Sequence, residues 1–180
     1  MSTSDRPGAA AASPAPVRIG DRLVGPGEPV YVIAELSANH QGSLDVALDV
    51  VRAAAEAGAD AVKLQTYTAD TMTIDCDLPP FRIGEGTIWE GRNLYELYEE
   101  AHTPWEWHDP LAAEAERLGL DLFSTPFDKT ALEFLEERDP PCHKIASFEL
   151  VDIPLIRAAA ATGRPLIMST GMATAVEIDE

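Results

Sequence analysis

The stretch Pro141-Cys142-His143-Lys144-Ile145-Ala146-Ser147-Phe148-Glu149 reads as a short buried strand, with Pro140-Pro141 before it and Asp152-Ile153-Pro154 after it. A lysine in the middle of such a strand is costly to bury unless an anion meets it. Ser147 and Glu149 follow where the strand should give way to a loop, so a cation, a hydroxyl and a carboxylate converge at one strand's C-terminal end. In a parallel α/β protein that end is where ligands bind. The plainer reading is a lysine that snorkels to the sheet edge beside two ordinary loop residues.

The neighbours on either side repeat the pattern. Downstream, a helix over Asp152 to Thr162 stops at Gly163, a strand runs from Pro165 to Ser169, and Thr174 with Glu177 forms a capping box. Upstream, a strand from Leu120 to Ser124 leads into Thr125-Pro126-Phe127 and a helix capped by Asp128. Before that, Thr103-Pro104-Trp105-Glu106 matches a capping box with proline at the first helical position, predicting a helix to Leu118. Residues 66–102 form a long connection with a short amphipathic helix at Asn93 to Glu100, the kind of segment that serves as a lid or binding loop. A strand over Asp60 to Gln65 contains Lys63, and an amphipathic helix between Ser43 and Gly58 precedes it. The apolar run Val30 to Ala34 predicts a strand ending in Glu35, the glycine-rich segment Val17 to Pro29 a hairpin or barrel-bottom plug, and residues 1–16 a disordered tail.

Five strands alternating with helices predict a parallel α/β fold. A five-stranded flavodoxin-like sheet is one form of it, but polar residues at nearly every strand end suit a (βα)8 TIM-type barrel better. Such a barrel takes about 250 residues. The 180-residue chain therefore reads as a barrel truncated after about five strands, with residues 17–180 as its N-terminal portion.

Charge narrows the partners. The formal net charge is −18, which argues against nucleic acid and anionic membrane surfaces. An anionic substrate would need a local positive cluster inside a repelling protein. Only three lysines occur against ten arginines, and two of them, Lys63 and Lys144, fall in predicted strands. Cys76 and Cys142 make no disulfide framework, and no secretory signal or membrane-length apolar span appears, so a soluble cytoplasmic protein is expected. The strand ends then read Glu35, Lys63 and Gln65, Ser124 and Thr125, Lys144 with Ser147 and Glu149, and Ser169 with Thr170. Two lysines and several hydroxyls at one mouth suit a phosphate and a carboxylate held together. The glutamates suit acid/base work or the hydroxyls of a polyol.

Five segments carry a resemblance. Ile33-Ala34-Glu35-Leu36-Ser37-Ala38-Asn39-His40, Ala57 to Thr66, Ser124-Thr125-Pro126-Phe127, Lys144 to Glu149 and Ser169-Thr170-Gly171-Met172 resemble, in order, the N-acetylneuraminate (sialic acid) synthase family. Tyr67-Thr68, Leu94 to Tyr98 and Thr103 to His108 are most similar to its pseudaminic acid synthases. The resemblance implies a transferase that condenses phosphoenolpyruvate with a 2,4-diacetamido-trideoxy hexose, giving a nonulosonic acid and phosphate. By position it places Lys63, Thr125, Lys144, Ser147 and Ser169 on phosphoenolpyruvate, Glu149 facing the sugar and Glu35 near the reacting centre. Gln65, Asn39 and His40 lie in family motifs without a firm role.

The resemblance also implies a divalent metal, manganese or magnesium, held by two histidines on later barrel strands, a C-terminal antifreeze-like domain and a homodimer of the full-length protein. Those metal ligands are expected outside this chain, since His40, His102, His108 and His143 lack ligand spacing and read as hydrogen-bonded or surface residues. Trp105 is expected to pack, and Cys142 to be a small core residue. The chain alone is expected to be catalytically silent. Neuraminate or legionaminate synthesis is the alternative within the class; a non-catalytic truncated half-barrel is the alternative outside it.

Overall fold

The computed structural model describes residues 14–84, 86 and 89–179; most of the expected tail, residues 1–13, lies outside the described residues. Strands β1 (Val17–Ile19) and β2 (Arg22–Val24) form an antiparallel hairpin. Strands β3 (Ile33–Glu35), β4 (Ala61–Thr66), β5 (Asp121–Pro126), β6 (His143–Ile145) and β7 (Leu166–Met168) form one parallel sheet in sequential order. That order has no central reversal, as a doubly wound sheet would, and is the order of a barrel wall.

Helices α1 (Leu44–Glu56), α2 (Ala69–Met72), α3 (Leu94–Ala101), α4 (His108–Arg117), α5 (Lys129–Glu136), α6 (Ile153–Ala161) and α7 (Ala175–Asp179) complete the described elements. Local chemistry starts them. Asn93 accepts from the Tyr95 N–H at 2.7 Å, Asp128 from Ala131 at 2.6 Å and Asp152 from Leu155 at 3.0 Å, each satisfying an otherwise orphaned donor. Ser43 does the same for Val46 at 3.4 Å, and the Thr174–Glu177 box closes with Thr174 N–H on Glu177 Oε2 at 2.8 Å.

The sheet's two faces do different jobs. Val62 and Leu64 point outward into a core with Ala47, Val51, Leu111 and Ala115 of α1 and α4, while Ile145 packs on Leu132 and Ala159 of α5 and α6. Full burial of such a side chain contributes about 1.5–3 kcal/mol. On the inner face Ala61, Phe123 and Cys142 pack against Ile19 of the hairpin, which plugs the floor.

Four expectations shift. The first strand of the sheet starts at Ile33, because Val30 and Val32 are 80% and 48% exposed and no described residue covers the start of the apolar run. Strand β5 runs on to Pro126, paired opposite Thr66. Strand β6 is only three residues long, and Phe148–Val151 is a 3-10 turn, so Ser147 and Glu149 stand on a turn. The Thr103–Glu106 capping box does not form: Thr103 Oγ1 is buried without a partner, Trp105–Trp107 is a 3-10 turn, and α4 begins at His108.

Candidate functional site

Side chains alternate along a strand, so residues two apart share a face. Glu35 pairs in register with Lys63, and Gln65 with Thr125; Ser124 pairs with His143, which puts Lys144 one step on beside Thr125. Glu35, Lys63, Gln65, Thr125 and Lys144 thus lie on the inner face, above the plugged floor. Ser169 joins them where its N–H extends the β6–β7 pairing to Ile145 O at 3.0 Å.

Lys63 is 6% exposed, and its Nζ lies 3.5 Å from Glu35 Oε1. Lys144 Nζ donates to Ile145 O at 2.7 Å and to Ser169 Oγ. Burial lowers the Lys144 pKa and the charge of Lys63 lowers it further, against the opposing pull of Glu35 and Glu149. Two ammonium groups that repel each other on one wall are the arrangement a bound anion would relieve.

Ser147 stands at the rim, its hydroxyl so close to Gly171 that a Cβ there would meet it at 2.9 Å. A glycine here brings the Ser169–Met172 loop close to the hydroxyl without displacing it. Glu149 is half-buried, with Oε2 buried and unpartnered. Burial raises its pKa and Asp152 adds to this, while its own backbone N–H and Lys144 work the other way. A carboxyl in that setting suits proton transfer. Beside the rim, Ser147, Phe148, Val151, Gly171 and Met172 line an open groove of about 480 Å³.

Asn39 and His40 are not on the lysine wall. Asn39 Nδ2 donates to Leu36 O at 3.0 Å, within the β3–α1 loop. His40 Nδ1 accepts from the Gly42 N–H at 3.1 Å, which leaves Nε2–H to donate to Ala101 O at 3.3 Å, and its ring meets Trp107 edge-on at 5.3 Å. His40 therefore ties the loop after β3 to the end of α3. The long connection closes over β4 and β5 through Tyr67, whose ring meets Tyr98 and Phe127 edge-on. Trp105 packs on Phe134 and donates Nε1–H to Tyr67 O at 3.2 Å. Cys142 is fully buried on the floor with its thiol pushed up to about 12, a packing residue.

Among the described residues no three of His, Cys, Asp and Glu gather to hold a metal ion, so the side chains here do not fit a metal centre. No described helix is long and apolar enough to cross a membrane. Sequence reading missed the Ser147–Gly171 contact and a buried polar chain through Thr66, because neither a close approach nor an outward-facing hydroxyl leaves a periodic signal.

Known proteins place this geometry. The chain is 50% identical over 153 residues to pseudaminic acid synthase from Helicobacter pylori, covering 85% of this chain and 45% of that protein. It is 50% identical over 149 residues to pseudaminic acid synthase from Campylobacter jejuni, covering 83% and 43%. The chain thus spans about half the length of the curated relatives it matches. The structure of N-acetylneuraminic acid synthetase from Leptospira borgpetersenii superposes with a TM-score of 0.77 at 31% identity, over 93% of this chain and 53% of that one. A truncated 3-deoxy-D-arabino-heptulosonate 7-phosphate synthase from Thermotoga maritima shares the fold alone, at a TM-score of 0.59 and 13% identity. With these neighbours the five-stranded sheet is half of a TIM-type barrel, and with residues 50–180 matching the NeuB family, the chain belongs to that family.

Proposed function

We propose that these residues form the phosphoenolpyruvate side of a nonulosonic acid synthase of the pseudaminic acid type. The observation that supports this most is the pair Lys63 and Lys144, two partly or fully buried cations on one inner wall, where the charge of Lys63 helps to lower the Lys144 pKa. In this reading Lys63 and Lys144 hold the phosphate and carboxylate, and the hydroxyls of Thr125, Ser147 and Ser169 add directional donors. Holding both ends of phosphoenolpyruvate presents its enol carbon to the open-chain sugar aldehyde. A carbon–carbon bond forms, the aldehyde oxygen takes a proton, and positive charge develops at the neighbouring enol carbon. Water adds there and loses a proton to leave a hydroxyl; the carbon–oxygen bond to phosphate then breaks as that hydroxyl gives its proton to the departing phosphate and becomes the keto group.

Glu149, kept protonated to higher pH by burial, is placed to move one of these protons. Glu35, mostly exposed and 3.5 Å from Lys63, stands near the reacting centre and supplies negative charge to the developing cation. The divalent manganese or magnesium would draw its ligands from outside these residues, as would a homodimer's completing contacts. In this reading the sugar is a 2,4-diacetamido-trideoxy hexose of the pseudaminic type, supported by 50% identity to pseudaminic acid synthases against 35% to N,N'-diacetyllegionaminic acid synthase from Legionella pneumophila and 32% to N-acetylneuraminate-9-phosphate synthase from Homo sapiens.

Calorimetric titration of phosphoenolpyruvate into the purified chain tests the reading. Saturable binding is expected, with no condensation product when sugar and metal are added. Absence of binding at millimolar ligand would favour a non-catalytic half-barrel.

A further inference from the structure

Directly behind the lysine wall, on the helix-covered face, a chain of hydrogen bonds crosses three elements. Thr66 Oγ1, at the end of β4, lies 2.8 Å from His108 Nε2 at the start of α4 and 2.7 Å from Ser124 Oγ on β5. None of the three is more than 1% exposed. Burial, then the charge of Arg138, lowers the His108 pKa to about 4, so its ring is neutral; Asp109, paired with Arg138, works the other way. Phe134 closes the remaining side, edge-on at 5.1 Å. A neutral ring leaves two proton orders, His108 to Thr66 to Ser124 or the reverse. In either one Thr66 donates once and accepts once, so losing its hydroxyl breaks both bonds.

Elsewhere this face carries the apolar Val62, Leu64 and Ile145, and His143, which bonds Glu136 at 2.7 Å. A buried polar chain of this kind adds little stability over well-packed apolar groups of the same shape, all the less with His108 Nδ1 unpartnered among the described residues, but it fixes geometry. The geometry it fixes is informative. Gln65 and Thr125, the sequence neighbours of Thr66 and Ser124, alternate onto the inner wall and pair in register with each other. The Phe127 N–H donates to Thr66 O at 3.3 Å, so regular pairing of β4 with β5 ends here. At this end of the pairing the side-chain chain links β4 to β5, and just beyond it the Tyr67 and Phe127 rings meet edge-on at 5.3 Å.

We propose that the His108–Thr66–Ser124 chain is a positioning device that sets Gln65 and Thr125 at the mouth for phosphoenolpyruvate; this rests on the anion-site reading above. The three residues face away from the mouth and act through the strand ends.

The test compares Thr66→Val with Thr66→Ser by calorimetric titration of phosphoenolpyruvate, with Lys144→Met as a control. Thr66→Val should bind roughly 2- to 30-fold more weakly, the range for coupling through an adjacent layer, and Thr66→Ser should recover wild-type affinity. In ¹⁵N-histidine spectra the His108 ring resonances should move when phosphoenolpyruvate is added to the wild type and stay fixed in Lys144→Met. Should Thr66→Val fail to fold, Ser124→Ala, which removes only the last hydroxyl, takes its place. Wild-type affinity in folded Thr66→Val, equal weakening in Thr66→Ser, or an unmoved His108 resonance overturns the proposal. No binding by the wild type itself would instead remove the anion site.

Discussion

Burial and a second lysine both disfavour the Lys144 ammonium, against its bonds to Ile145 O and Ser169 Oγ and the pull of Glu35 and Glu149. Replacing Lys144 by Met removes that charge and the bond to Ser169 but keeps the aliphatic stem, so thermal stability should hold or rise. Phosphoenolpyruvate affinity should fall by about 3 kcal/mol, roughly 100-fold, the lower end for unpairing a buried charge. Calorimetry and thermal melts on the same sample check both halves; lost stability with unchanged affinity would make Lys144 structural. Gly171→Ala probes the same rim differently. Its Cβ meets a hydroxyl that can rotate away, so stability should change by less than about 1 kcal/mol while Ser147 loses its aim and anion affinity drops. The lysines were legible in the sequence because a cation in a strand breaks the composition of strands. The Ser147–Gly171 contact was not, because it depends on how closely two loops approach across sequence.

At the level of elements, the hairpin plug depends on one close approach. Gly20 has φ +53°, and a Cβ there would run into the carboxylate of Asp121, which also accepts from Tyr31 Oη at 2.6 Å. Gly20→Ala therefore adds left-handed strain to a clash with an anchored group. It should cost about 2 kcal/mol or more, read as a lowered urea midpoint with an unchanged slope. A midpoint within error of the wild type would mean that the floor tolerates an unseated hairpin. Helices were legible to within a few residues wherever a cap drove them, as at Asn93, Asp128 and Asp152. Strand edges were less so. Val30 and Val32 look like a buried run but are exposed, and β6 stops at Ile145, inside a stretch that reads as one short strand before its polar end. The sequential order of the sheet followed from polar strand ends, which a doubly wound sheet would concentrate at one switch point.

For the whole molecule, acid should act through buried histidines more than through net charge. His40, His108 and His143 are 1% exposed or less, and burial lowers the pKa of each. A folded pKa below the unfolded value means that the unfolded chain takes up protons first as pH falls. The stability these groups allow is complete above the ordinary histidine value of 6.5 and erodes as pH falls toward about 4, where folded His108 titrates. For His108 that difference corresponds to something on the order of 3 kcal/mol. His143 contributes in the same direction, damped by its 2.7 Å contact with Glu136. Two effects oppose them. Glu149, with its raised pKa, favours the fold as pH falls, and protonating carboxylates relieves the repulsion of a chain with net charge −18. Repulsion between exposed charges is screened within about 8 Å at physiological salt, whereas a buried imidazole is not screened. At that ionic strength the urea midpoint should therefore fall steadily from about pH 6.5 to about pH 5. Lowering the salt should change this slope only slightly, and His108→Gln, which cannot take up a proton, should flatten it. A midpoint that stays level or rises across this range would place the balance with surface charge instead.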